Sequence, residues 1–341
     1  MRYLIVDAAN TFFRARHSTH RQSDTWDKVG FSLHVTLSSI NKCWRDQHAD
    51  HVIICLEGRS WRKDFYEPYK KNRSVARAAL TEKEAEEEQL FWDTFDALKT
   101  FFIDKSNCTV LQHPELEADD LIAGFIQSHP TDHHTIVSSD TDFYQLLSAN
   151  VNQYNGISDE LHTVEGIFDK KGKLVIDKKT KEPKKIPDPK FILFEKCMRG
   201  DPTDNIFSAY PGVRTKGTKN KVGLEEAYAD KDKRGYAWNN LMLQRWVDHN
   251  GVEHRVLDDY ERNCTLVDLS AQPTDIKNKI LETVKNAVTV TKQRQMIGAQ
   301  FLKFCGKYDL IKLSDNAANI SEWLCAAYPE ENVTAFHLIN S

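Results

Sequence analysis

RYLIVD, residues 2–7, is an apolar run that closes on a carboxylate, and its reading decides the fold. The run lacks period-two alternation, as expected of a strand covered on both faces. Working outward, HVIICLE (51–57) ends on Glu57, and HTIVSS (134–139) is followed by Asp140 and Asp142. Two other stretches place acids where a helix is expected to begin: EADDLIAGF (117–125), with Glu117, Asp119 and Asp120, and GDPTDN (200–205), with Asp201 and Asp204. A strand-like run also lies near 108–111. Between these runs the pattern turns helical. A helical stretch after residue 7 carries Phe31, Val35 and Leu37. Phe91, Phe95, Leu98 and Phe102 set a helix over about 82–102, whose leading glutamates read as a solvated face suited to a helix N-terminus. Leu121, Ile122, Phe125 and Ile126 face inward on a helix over about 118–128. Alternating strands and helices indicate an α/β core with a largely parallel sheet.

In an open parallel sheet, ligands bind in the crevice at the carboxyl ends of the strands. Nine carboxylates (Asp7, Glu57, Glu117, Asp119, Asp120, Asp140, Asp142, Asp201 and Asp204) cannot crowd there without cations, because like charges raise each other's pKa. Hard oxygen donors in such number suit magnesium or manganese, and two such ions held together serve phosphate-ester chemistry. Each acid also has an ordinary alternative. Asp7, Asp119 or Asp120 can cap a helix, and Asp201 and Asp204 can form a turn and an N-cap. Asp140 and Asp142 on an extended segment point to one side; Asp201 and Asp204, three apart, converge on a helical turn.

The 341 residues suffice for about two domains. A hydrophobic content of 40% supports a packed core. No basic leader with a long apolar stretch opens the sequence, and no apolar run reaches membrane-spanning length, so a soluble, cytoplasmic chain is expected. Seven scattered cysteines without a CxxC pair fit a reducing compartment and argue against zinc. His17, His20, His133 and His134 lack partners at ligand spacing. Net charge is −4, but positive charge is bunched. Lys70, Lys71, Arg73 and Arg77 form one cluster, eight lysines between 170 and 185 a second, and Arg214, Lys216, Lys219 and Lys221 a third. Basic clusters flanking an acidic pocket fit a protein that grips phosphates, although each cluster also reads as a solvated loop.

A hairpin is expected around Gly172, followed by a Lys/Pro-rich connector and a soft boundary at 187. Beyond it the chain reads as mainly helical: PDPKFILFEKCMRG (187–200) starts with prolines suited to a first turn, and the segments around 222–229, 238–247 and 274–302 lack strand alternation. SWRKDFYEPYKKNRSVAR (60–77) interleaves aromatics with cations, the chemistry of base stacking and backbone contact, with Phe65 and Tyr66 more readily read as core. In residues 200–229, Gly212, Gly217 and Gly223 allow backbone to approach phosphate, and a helix start beyond them offers N–H donors.

The order VDAAN, LE…YKKNR, LEADDLI, SSDTDFYQL and GDPTDN…PGV resembles that of the flap endonuclease, or 5′-nuclease, family. WRKDFYEPYKKNR and YERNCTLVDL are most similar to its T-even phage ribonuclease H branch. The resemblance implies a PIN-like α/β nuclease core over 1–187, with a helical arch at about 60–105. It implies a mainly helical duplex-binding region over 188–341 with a helix–three-turn–helix element. It also implies a first metal on Asp7, Glu117, Asp119 and Asp140, a second on Asp142, Asp201 and Asp204, and Asp120 near both. Lys70 and Arg73 match catalytic arch cations. Tyr69, Lys71, Arg77, Gly212, Val213, Lys216, Lys219 and Lys221 are implied nucleic-acid contacts. Two departures stand out: Glu57 replaces the family's usual Asp and is expected as an outer ligand, and the loop RTKGTKNKVG is longer and more basic than usual.

The implied activity is metal-dependent 5′–3′ exonuclease, flap endonuclease and ribonuclease H cleavage that removes RNA primers and 5′ flaps in DNA replication. Implied cofactors are two Mg2+, replaceable by Mn2+, and K+ at the helix–three-turn–helix element. Expected partners are flap, nicked or 5′-overhang DNA and RNA–DNA hybrid, with a sliding clamp or single-strand-binding protein as candidates. A monomer, without membrane contact and in a bacterial host's cytoplasm if phage-encoded, is expected. The tail ENVTAFHLINS reads as packing or as a docking peptide. Rival readings are a PIN-type single-strand ribonuclease and a catalytically inactive DNA-structure-binding protein.

Overall fold

The computed structural model describes residues 1–18, 24–290 and 293–329. His20 and the tail ENVTAFHLINS lie outside the described residues. Seven strands form one sheet in the order β3-β2-β1-β4-β5-β6-β7. They are β1 Arg2–Asp7, β2 His51–Cys55, β3 Thr109–Leu111, β4 His133–Val137, β5 Val151–Asn155, β6 Glu160–His162 and β7 Ile167–Phe168. The first five run parallel, and β6 and β7 are antiparallel additions. The chain steps outward from β1 to β2 and β3, then returns to β4 on the other side of β1. The crevice of such a sheet opens at that reversal. Val6 is level with Val137 in the register, so Asp7 and the Ser138–Asp140 segment emerge side by side.

Alternate residues of β1 serve opposite faces. Leu4 and Val6 join a core with Leu33, Leu37 and Ile40 of the helix Thr25–Asp46 and with Phe91, Phe95 and Phe102 of the helix Glu82–Lys105. On the other face, Tyr3 meets Phe125 of the helix Ala118–Ser128 with ring centroids 5.0 Å apart. That helix packs closely on Ile280 at Gly124. Burial of both faces explains why the strands read as continuous apolar runs.

The chain forms two compact units that interleave along the sequence. Unit 1 comprises Met1–Ser60, Leu80–Ile186 and the segment from Asp275 onward; unit 2 comprises Trp61–Ala79 and Pro187–Thr274. In unit 1, Phe301, Ile320, Trp323 and Leu324, from the helices Ile297–Lys307 and Ala317–Cys325, are part of the same core as β1 and β2. In unit 2, the helices Pro189–Arg199, Leu224–Ala229, Tyr236–Met242 and Val256–Val267 enclose a core around Phe194, Trp238 and Tyr260. The segment Trp61–Ala79 is tied into it by Arg62, whose Nε donates to the Leu266 carbonyl at 2.7 Å. Among the described residues no helix is long and apolar enough to cross a membrane.

Several local expectations are corrected. The helix expected over 238–247 ends at Met242, and Arg245–Val247 (β8) pairs with Glu253–Arg255 (β9). The helix expected over 274–302 is two helices, Thr274–Thr289 and Ile297–Lys307. A hairpin forms at Gly172, with Phe168 bridged to Leu174 and Gly172 at φ 70°.

Candidate active site

Six carboxylates of unit 1 gather where strand ends meet the start of the helix Ala118–Ser128. Asp7 ends β1 and is buried. Its Oδ1 accepts the Asn10 N–H at 3.1 Å, so the capping role is real, and its Oδ2 accepts the Ser138 hydroxyl at 3.0 Å. Asn10 Oδ1 in turn accepts both the Ser139 N–H (2.9 Å) and its hydroxyl (3.0 Å), fixing the loop after β4. Gln153 on β5 is buried and donates to the Ser138 and Asp140 carbonyls at 2.9 and 2.7 Å. Asp140 is thus held from beneath by its backbone.

Glu57 approaches from β2. Its Oε2 accepts the Ala118 N–H at 3.3 Å. This approach depends on Gly58: a Cβ there would meet the His113 carbonyl oxygen at 2.1 Å and those of Leu116 and Pro114 at 2.8 Å. The Gly58 N–H donates to the Leu116 carbonyl at 2.9 Å, which locks the strand end against the loop that delivers Glu117. Glu117 is the N-cap residue of the helix, in a capping box with Asp120. Asp120 is fully buried and its Oδ2 accepts the Glu117 N–H at 3.2 Å. The cap reading therefore holds for Asp120, and it positions Glu117.

Asp119 is the electrostatic centre. Burial, and then Glu57, Asp140, Asp7 and Glu117 in that order, push its carboxyl well above the usual carboxylate range. Arg14, missed by the sequence reading, feels the charge of Asp7. Burial lowers its pKa, while Tyr154 and Asp7 oppose that. Its guanidinium fits because residue 156 is glycine: a Cβ there would lie 2.2 Å from Arg14 Nη2. No sequence signal marks Arg14 or Gln153, since each acts on a distant segment.

Among the described residues no three His, Cys, Asp or Glu are drawn close enough to hold a metal ion as they stand. The acids sit at a range where charges repel, yet short of shared coordination. A donor set of carboxylate oxygens, crowded and raised in pKa, fits a hard divalent cation, which inverts that repulsion.

Asp142 does not extend alongside Asp140 as expected. Asp140 caps a 3-10 turn, Thr141–Leu146, and its Oδ1 accepts the Asp142 N–H at 2.9 Å. Asp201 and Asp204 belong to unit 2, and they do not lie on a helical turn either. Asp201 and Ile206 exchange two backbone hydrogen bonds of 2.8 Å across a tight loop, with Asn205 at φ 57°. Burial pushes the Asp201 carboxyl up, but Thr203 and Lys196 outweigh it and hold the pKa below the ordinary value. Lys196 Nζ lies 2.9 Å away.

Lys70 and Arg73 meet Asp204 within unit 2. Arg73 Nη2 is 2.5 Å from Asp204 Oδ1, Lys70 Nζ is 3.7 Å from Oδ2, and the Tyr69 hydroxyl donates to Oδ2 at 3.0 Å. Tyr69 is buried in the unit 2 core, so as a stacking contact it is corrected, and Trp61 is likewise buried. Phe65, expected as core, is 48% exposed. Lys71 pairs with Glu67, and the helix Lys71–Ala78, with Arg77, has no buried residue.

The glycine loop is also corrected. The Gly217 and Gly223 N–H groups both donate to the Glu226 carboxylate, at 3.0 and 2.8 Å, so they are not offered to an anion. Val213 is buried and its N–H bonds the Tyr210 carbonyl at 3.2 Å, which removes it as a phosphate donor. Gly212, at φ 76°, and the side chains of Lys216, Lys219 and Lys221 are exposed.

A family model described as 5′–3′ exonuclease, N-terminal resolvase-like domain, matches residues 2–175. No curated protein matches the sequence. Among solved structures, the chain is similar to the phage T5 5′-exonuclease with bound zinc, with 20% identity, 84% of this chain and 99% of that one covered, and a TM-score of 0.56. It is also similar to the T5 D15 protein co-crystallised with metal ions, and to a variant D15 flap endonuclease in a pseudo-enzyme-product complex with DNA and metal ions. Each of these two shares 18% identity over the same coverage, with a TM-score of 0.53. At such identity the likeness is one of fold.

Proposed function

The chain belongs to the 5′–3′ exonuclease family through the resolvase-like domain at residues 2–175, and on that premise we propose that it cuts structured nucleic acid near a 5′ end using divalent cations held by the acids of unit 1. It is a phosphodiester hydrolase with 5′–3′ nuclease activity. The proposal adds DNA flaps, nicked duplexes and RNA primers on DNA as substrates, and replication in a phage-infected bacterial cytoplasm as the setting. The observation that carries it is Asp119, surrounded by Glu57, Asp140, Asp7 and Glu117. The T5 relative captured with DNA and metal ions supports the same direction.

Two magnesium or manganese ions held by these acids would supply an acidified water and offset negative charge on the phosphate. The chain's own residues hold and aim the donors. Asp7, Glu117, Asp119 and Asp140 are the proposed inner set, with Glu57 an outer donor. Asp142 is a further proposed cation donor of unit 1; Asp201 and Asp204, in unit 2, are proposed donors on their own account. Ser138, Asn10 and Gln153 are positioning residues, because each fixes the orientation of a carboxylate or its backbone. Lys70 and Arg73, resting on Asp204, are the proposed groups that orient the scissile phosphate and stabilise its charge. The basic surface at Lys216, Lys219 and Lys221 is the proposed duplex contact, through phosphates and without reading sequence. Potassium at the helix–three-turn–helix element belongs to the same proposal.

The test is cleavage of a labelled 5′-flap DNA, an RNA–DNA hybrid and an unstructured RNA of equal length, with magnesium titrated and then chelated. Cleavage of the first two, abolished by chelator, is expected. Preferential cleavage of the unstructured RNA would favour a single-strand ribonuclease. Binding without cleavage at any magnesium concentration would favour an inactive structure-binding protein.

A further inference from the structure

Phe207 leaves the tight loop of Asp201 and Asp204 with 55% of its surface exposed. A single exposed apolar side chain is ordinary and by itself says nothing. What distinguishes this one is its mount. The Phe207 carbonyl accepts two side-chain donors from the helix Val256–Val267, Arg262 Nη2 at 3.1 Å and Asn263 Nδ2 at 2.9 Å. Asn263 is fully buried and also donates to the Cys197 carbonyl at 2.8 Å. On either side, Ile206 is buried, and the Ser208 hydroxyl and Ala209 N–H both donate to the Met198 carbonyl, at 3.0 and 2.9 Å. Gly200, at φ 73°, lets the loop close on itself: a Cβ there would lie 2.3 Å from the Ile206 carbonyl oxygen and 2.7 Å from Phe207 C. The backbone is fixed and the ring alone projects.

The surroundings in unit 2 are aromatic and cationic. The Tyr66 ring supports Phe207 edge-on, with centroids 6.2 Å apart at 84°, and the Arg262 guanidinium lies 5.0 Å over the Tyr66 ring. Three residues before Phe207, Asp204 gathers Lys70 and Arg73, and Asn205 Nδ2 donates to the Pro68 carbonyl at 2.7 Å. Asp259 neutralises part of Arg262 at 2.5 Å, so Arg262 serves the mount more than the ligand.

We propose that Phe207 is a stacking platform for the exposed face of a base at the junction between single-stranded and duplex nucleic acid. A rigid, projecting aromatic face is the chemistry of sequence-tolerant base stacking. Bases inside a duplex already have both faces covered, so a base with one open face is the ligand that fits. The identity of the ligand rests on the nuclease reading above. The proposal makes Phe207 a substrate-binding contact.

The test uses the full chain and a set of 5′-flap DNAs, each with one 2-aminopurine flanking the junction, with calcium in place of magnesium. Wild type should change the fluorescence at one position. Phe207→Ala should lose that change and bind about 5–30-fold more weakly, which at 1.4 kcal/mol per tenfold is about 1–2 kcal/mol. Phe207→Tyr should retain both, and Phe207→Leu should behave as Ala. Because the ring is exposed, all three variants should melt with wild type. Binding by Phe207→Ala within about twofold of wild type, rescue by Leu equal to rescue by Tyr, or no responding position would overturn the proposal. Flap cleavage by wild type in magnesium is scored separately; its absence removes the nuclease reading while the fluorescence still decides the stacking claim.

Discussion

Asp119 shows how one residue can be a liability to the fold while serving the proposed metal chemistry. Its raised pKa means that ionisation near neutral pH works against the folded state. Asp119→Asn should therefore raise the melting temperature in chelator by a few degrees, on the order of 1 kcal/mol. The native pKa lies above the unfolded one, so wild-type stability is regained as pH falls through the raised value, and the gap between the two proteins should close in acid. A variant that melts below wild type in chelator at neutral pH would contradict this. The acids themselves were legible because a carboxylate at the end of an apolar run is conspicuous. Their supports were not. Ser138 reaches Asp7 across 131 residues of sequence, and Arg14, Gly58 and Gln153 likewise take their meaning from segments far along the chain.

At the scale of elements, the five parallel strands divide by how apolar they are. β1, β2 and β4 were plain from their runs, whereas β5, VNQYN, is polar enough to hide, and its Gln153 carries the loop of Asp140. The tight turn at Asp201 was one of two readings, beside a helical one; Pro202 and an asparagine able to adopt positive φ favour the turn that forms. Glu226 occupies the Gly217 and Gly223 amides because a capping glutamate three residues into a helix competes with any anion. The N-terminal edge of β4 offers a pH test. His134 stacks on Tyr3 at 5.8 Å, bonds the His129 carbonyl through Nε2 at 2.8 Å, and keeps Nδ1 buried without a partner. Burial lowers its pKa to about 4. The folded value lies below the unfolded one, so the stability it carries is complete above about pH 6.5 and is lost as pH falls towards 4, by roughly 3 kcal/mol at most. Urea denaturation at pH 7 and pH 4.5 should show a smaller loss for His134→Phe than for wild type; equal losses would refute the assignment.

At the scale of the whole molecule, the interleaving of the two units could not be read from sequence, because an amphipathic helix announces that it has a partner but not which one. The last helices return to unit 1, where Phe301, Trp323 and Leu324 are fully buried. Losing several such side chains, at about 1.5–3 kcal/mol each plus the cavity, exceeds the usual net stability of a domain. A chain ended at Thr274 should lose the unit 1 share of the near-UV circular dichroism signal and of its urea transition, and a transition of wild-type amplitude and midpoint would contradict that packing. The central claim, that distant strand ends collect acids in order to hold catalytic cations, is tested most directly by titrating the protein with manganese and following the free ion by electron paramagnetic resonance. The account predicts saturable uptake by wild type and the loss of at least one bound ion in both Asp119→Asn and Asp140→Ala. Uptake unchanged in number and affinity in both variants would contradict it.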